Sequence, residues 1–168
     1  MEDKYPELKV LIGIPGSGKS HWISENNYYH SHFIVSPDSI RQEIFHNISD
    51  QSNNVKIFDI AMGMVRAALL LKKDVILDAT NCNTKYRREF LEKMPRCNMS
   101  AYLFEIDPRI ASARIRQDIK KNKLRSDVPT SIVYRMHGEY LYTKSVIKEE
   151  YFDSIEIITE INESKVKE

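Results

Sequence analysis

The stretch LIGIPGSGKSHW, residues 11–22, decides the fold. An apolar run enters a turn holding Gly13, Gly16 and Gly18, and Lys19 and Ser20 follow at once. A bend needs a glycine or two. It does not need a Lys–Ser pair at the mouth of the next helix. The spacing is G-x-x-x-x-G-K-S, in which glycines let successive backbone N–H groups point inward at phosphate oxygens. A helix starting there adds the positive end of its dipole. Gly13, Pro15, Gly16, Ser17, Gly18, Lys19 and Ser20 are therefore the candidate binders of nucleotide phosphates. Lys19 is expected to reach the β- and γ-phosphates, and the Ser20 hydroxyl to ligate Mg²⁺.

Outward from this loop, short apolar runs alternate with helical patterns. KVLIGI (9–14), HFIVS (32–36), DVILDA (74–79), MSAYLFEI (99–106) and SIEIITEI (154–161) read as strands. SHWISENNYY (20–29) reads as the start of a helix. Residues 36–45, 53–73, 83–94, 107–121 and 129–143 read as further helices. Ser36 and Asp107 are N-cap residues, each followed by a proline suited to the first helical turn. Pro129 opens the last helix. Strand–helix alternation predicts an α/β fold, a parallel sheet of about five strands covered by helices on both faces. The 168 residues read as a single domain, ending in a frayed polar tail, NESKVKE.

In an open parallel sheet, ligands bind beyond the carboxyl ends of the strands. Asp38 follows the second strand and Asp78 ends the third, so both are expected on the edge that carries the glycine loop. Asp78 ends an apolar run as a Walker-B acid does, and its expected task is at the Mg²⁺ site beside Ser20. The alternative is a turn or cap acid. Asp38 and Arg41 stand three apart on one helix face. They read either as a local ion pair or as a proton acceptor beside an anion-gripping guanidinium. From Arg109 to Arg125 run seven basic residues, namely Arg109, Arg114, Arg116, Lys120, Lys121, Lys123 and Arg125, opposed only by Asp118. A solvated face is the plain reading of such a run. Its place after the fourth strand argues a lid around residues 114–128.

A net charge of +1 announces no general affinity for nucleic acid, so any basic site must be local. Cys82 and Cys97 form neither a C-x-x-C pair nor a ligand cluster, which fits a reducing, cytoplasmic setting. No run approaches about 18 apolar residues, so no membrane span is expected. His21 and His137 read as structural or surface residues.

GIPGSGKSHW, PDSIRQEIF, DATNCN and the basic run ending RSDVPTSIVYRM together resemble the kinase module of phage-type polynucleotide kinases. They are similar also to bacterial RNA-repair kinases of that group. The resemblance runs from about Leu8 to Tyr140. It implies the P-loop kinase fold with strand order 2-3-1-4-5, and ATP-dependent phosphorylation of 5′-hydroxyl ends of DNA or RNA. It implies a ligase acting downstream on the healed end. By residue, it implies Asp38 as general base and Arg41 on the phosphate 3′ to the reacting nucleotide. It places Asp78 beside the phosphates, Thr80 and Asn81 at the acceptor, and Arg116 and Lys120 on the donor phosphates. Lys120 departs from the family's usual arginine and cannot make a planar two-bond grip, which leaves Arg125 as the alternative. The family's phosphatase motif, Asp-x-Asp-Gly-Thr, does not occur. Two other readings stay open: a kinase of a small metabolite such as a nucleoside or sugar acid, and a nucleotide-binding ATPase whose only acceptor is water.

Overall fold

Leu8, Val10, Leu11 and Ile12 have no exposed surface in the computed structural model, which describes residues 4–159. They lie in β1 (Glu7–Ile12), the central strand of a five-stranded sheet. Consecutive buried apolar positions are what a parallel strand covered on both faces requires. Across the sheet the order is β2 (Phe33–Val35), β3 (Val75–Leu77), β1, β4 (Asn98–Glu105) and β5 (Ser154–Thr159). This is the expected 2-3-1-4-5 order, and every pairing is parallel. Val35 pairs with Leu77, so β2 and β3 end level and release Ser36 and Asp78 at one edge.

The helices are α1 (Lys19–Glu25), α2 (Pro37–Phe45), α3 (Asn54–Leu70), α4 (Thr84–Glu92), α5 (Pro108–Lys120) and α6 (Thr130–Val146). The caps read from the sequence hold. Ser36 Oγ accepts from Ser39 N, and Asp107 Oδ1 accepts from Arg109 N. Asn83 caps α4 in the same way, accepting from Tyr86 N.

Alternation along β1 divides the core. Leu8, Val10 and Ile12 join the larger cluster with Ile57, Ala61 and Val65 of α3 and with Val133 and Tyr140 of α6. Leu11 joins Ile23, Ile76 and Phe104 in the smaller one. On that smaller side α1 is too short to cover the sheet. Trp22 completes the cover by meeting Tyr28, Tyr102 and Phe104 at ring-centroid distances of 5.1, 4.8 and 5.6 Å. Lys9, buried within β1, is neutralised by Glu7 at 2.6 Å. Its ammonium also lies over the Tyr28 and Tyr102 rings at 5.5 and 5.4 Å.

Some boundaries differ from the sequence reading. The helix expected through Tyr29 stops at Glu25, because Asn27 turns left-handed (φ 54°) and Tyr28–His30 form a 3₁₀ turn. That break lets Tyr28 enter the aromatic cluster. β1 starts two residues earlier than expected, and α6 continues past Thr143 to Val146. The last two residues of the fifth expected strand, with the tail NESKVKE, lie outside the described residues. Among the described residues no helix is long and apolar enough to cross a membrane.

Candidate phosphoryl-transfer site

The glycine loop leaves β1 and enters α1 through two left-handed residues, Gly16 (φ 80°) and Gly18 (φ 94°). A Cβ on Gly16 would lie 2.6 Å from the Ala111 carbonyl oxygen. Only glycine lets α5 back this closely onto the loop. Arg114 of α5 donates to the Gly16 carbonyl from the same side (3.5 Å). Beside it lies the open face of α5 that carries Asp107, Arg109, Ile110, Ala113, Arg114 and Gln117.

Lys19 opens α1 and folds back over the loop. Its Nζ donates to the carbonyls of Gly13 (2.9 Å) and Ile14 (3.1 Å) and to Ser17 Oγ (3.4 Å). Burial pushes the ammonium below the usual lysine range, and the nearby Asp78 carboxylate pulls the other way. Ser20 Oγ donates to Asp78 Oδ2 at 3.5 Å. Burial pushes the Asp78 carboxyl above the usual range, opposed by Lys19 and reinforced by Asp38. The structure therefore brings Lys19, Ser20, Asp38 and Asp78 to one edge, as the sequence reading expected.

The segment after β3 is tied to the loop by its backbone. Asp78 N donates to Val35 O (2.8 Å), and Gly13 N donates to Thr80 O (2.9 Å). Asn81 is left-handed (φ 49°) and its side-chain amide donates to Leu11 O (2.7 Å), which engages it with the end of β1. Cys82 is buried, donates to Thr80 O (3.2 Å), and has its thiol pushed up to about 12 by burial. It is thus a packing residue rather than a nucleophile.

Arg41 is 5% exposed although it stands on the first turns of a surface helix. Its guanidinium donates to Asp38 Oδ1 (2.6 Å) and to Asn54 Oδ1 (2.8 Å), while its buried Nε has no hydrogen-bond partner among the described residues. Asn54, at the start of α3, was not singled out in the sequence. It belongs to no motif and meets Arg41 only through tertiary structure.

The basic run proves more paired than its sequence suggested. Arg116 donates to the Val128 carbonyl and binds Asp127 (2.8 Å). Asp118 holds Arg125 (2.6 Å) and Lys123 (3.2 Å), and Asp107 holds Arg109 (2.6 Å). Lys120 is exposed in the last turn of α5. The charge of Arg125 reaches Lys19 and helps to lower its pKa. Asp127 N donates to Ser49 Oγ (3.0 Å), so the segment after α5 touches the loop after α2 across the edge.

The glycine loop, the opposed Lys19 and Asp78, and the parallel sheet define a P-loop kinase-like fold. The family described as AAA domain (AAA_33) matches residues 8–141, and the chain belongs to that family. No curated protein matches the sequence. Among solved structures, a chain of the Pnkp1/Rnl/Hen1 RNA repair complex superposes with a TM-score of 0.73 at 23% identity, over 84% of this chain and 46% of that one. This protein thus spans less than half the length of that relative. A putative kinase from Chloroflexus aurantiacus J-10-fl gives a TM-score of 0.67 at 10% identity, over 98% and 91% of the two chains. A gluconokinase from Sinorhizobium meliloti 1021 gives 0.55 at 12% identity, over 93% and 83%. At these identities the likeness is one of fold.

Proposed function

We propose that this protein is one kinase unit that transfers the γ-phosphoryl group of ATP to the 5′-hydroxyl end of DNA or RNA. The observation that carries the proposal is the Asp38–Arg41–Asn54 arrangement. A buried guanidinium is fixed 2.6 Å from a half-exposed carboxylate at the edge where the glycine loop opens. That pairing suits an acceptor with a phosphate next to its reacting hydroxyl. Asp38 takes the proton of the 5′-hydroxyl as the new O–P bond forms and the bond to the β-phosphate oxygen breaks. Arg41 holds the acceptor's 3′-side phosphate. Such a reaction depends on positioning and charge neutralisation more than on covalent work by the protein.

The residues present fit the donor and its metal. The loop offers a backbone cradle with Lys19 at its mouth, and Ser20 and Asp78 form a hydroxyl–carboxyl pair beside it. Ser20 and Asp78 would hold Mg²⁺, directly or through water, which when bound neutralises phosphate charge. Arg125, with Arg116 and Lys120, would form the lid over the donor. The likeness in fold to a chain from an RNA repair complex is in keeping with RNA as acceptor, and the ligase implied by the sequence resemblance would act downstream.

A second reading has its own support. The gluconokinase likeness spans most of both chains, and Asp38 with Arg41 would serve a small anionic acceptor too. The test is γ-labelled ATP offered with a 5′-hydroxyl oligonucleotide, free nucleosides and gluconate in parallel. The expected result is label on the oligonucleotide. Label on gluconate or nucleosides alone assigns the metabolite reading. Label released only as phosphate assigns a hydrolase.

A further inference from the structure

Beneath the segment 78–82 lies a buried charge that the proposed chemistry does not use. The Arg87 side chain of α4 has no exposed surface, and Glu150, just beyond α6, is 4% exposed. Arg87 donates to Glu150 from two nitrogens, with Nε at 3.0 Å from Oε2. Its NH1 donates to the Asn81 carbonyl (2.6 Å) and to Thr143 Oγ1 (3.1 Å), and its NH2 also reaches Thr84 Oγ1 (3.4 Å). Each N–H of the guanidinium therefore has an acceptor. Thr143, fully buried on α6, donates in turn to the Cys82 carbonyl (2.7 Å). Two successive carbonyls, those of Asn81 and Cys82, are thus held from below.

The same segment is held from above. The Asn81 amide grips Leu11 O, and Thr80 O accepts from Gly13 N of the glycine loop. Asn81 is left-handed, a conformation asparagine adopts more readily than most residues, and these bonds hold it there. Ionic groups buried in this way are costly unless every hydrogen bond is met. Here they are met by the Glu150, Thr84 and Thr143 side chains together with the Asn81 carbonyl of the segment that carries Asp78 and Thr80.

We infer that Arg87, Thr143 and Glu150 form a positioning clamp that sets Thr80 and Asn81 at the acceptor side of the site. The effect on transfer rests on the proposed kinase reading. The clamp itself can be tested without it. Arg87 touches no reacting group, and it acts through the backbone. Small displacements of positioned groups cost up to about 10²-fold in rate.

The experiment uses Thr143→Val, which keeps shape and removes the hydroxyl, Thr143→Ser, which restores it, and Arg87→Lys, which keeps the charge but not the fork. Hydrogen exchange of the amides in residues 78–83 is measured on each, with circular dichroism on the same samples. Oligonucleotide phosphorylation is then compared. The expected result is faster exchange in that segment for Thr143→Val and Arg87→Lys, with recovery in Thr143→Ser. The KM for the acceptor should rise or kcat fall by about tenfold to 10²-fold, with the KM for ATP nearly unchanged. Wild-type exchange in both variants overturns the clamp. So does a uniform loss of protection across the sheet, or a loss that serine does not restore, because either would mark a merely structural role. If the wild-type protein phosphorylates no 5′-hydroxyl end but the exchange pattern holds, the kinase reading fails and the clamp stands.

Discussion

At the scale of single residues the site is built of charges held against their preference. Asp78 is the clearest case. Burial raises its carboxyl above the ordinary aspartate value even with Lys19 nearby. The folded protein therefore binds a proton at Asp78 more readily than the unfolded chain does. Stability contributed by this group falls as pH rises from the unfolded value, about 4, through the raised one. Asp78→Asn removes that cost. The variant is expected to melt above wild type near neutral pH, with the gap closing toward about pH 4, and to lose transfer. Thermal melts across that pH range check this. An asparagine variant that melts lower at neutral pH would show that the charged pair with Lys19 and Ser20 is net stabilising.

At the scale of elements the lid is where charge count and charge placement part. Arg116 spends its guanidinium on Asp127 and the Val128 carbonyl, which fixes the return of the chain from α5 toward α6. Arg125 is anchored by Asp118 and its charge reaches Lys19. Arg125→Ala is therefore expected to lower kcat more than Arg116→Ala or Lys120→Ala. A cation on the transferred group can be worth up to about 10³–10⁵. Arg116→Ala should instead lower the melting temperature. Steady-state kinetics and melts on the three variants decide it, and an Arg116 variant that is the least active yet as stable as wild type would reverse the assignment. The strands and caps were legible in the sequence because their causes are local. Apolar runs, Ser36 before Pro37 and Asp107 before Pro108 each act within a few residues. The lid pairing was not legible. Asp127 reaches Ser49 across 78 residues, and Arg41 finds Asn54 and Arg87 finds Glu150 only once the sheet is assembled. The break after Glu25 was missed because Asn27 is permitted, not required, to turn left-handed.

At the scale of the whole molecule, the sheet order sends β1, β2 and β3 to one edge, and each delivers part of the site. β1 delivers the glycine loop, β2 delivers α2 with Asp38 and Arg41, and β3 delivers Asp78. The central claim is that this edge serves an acceptor carrying a phosphate beside its hydroxyl. The measurement is the rate of 5′-phosphorylation of a nucleoside 3′-monophosphate against the plain nucleoside, for wild type and for Arg41→Ala. The account expects wild type to phosphorylate the 3′-monophosphate and to leave the nucleoside nearly untouched. Arg41→Ala should raise the KM for the phosphorylated acceptor and flatten that preference. Equal rates on both acceptors in wild type, or a preference that survives the loss of Arg41, would contradict it.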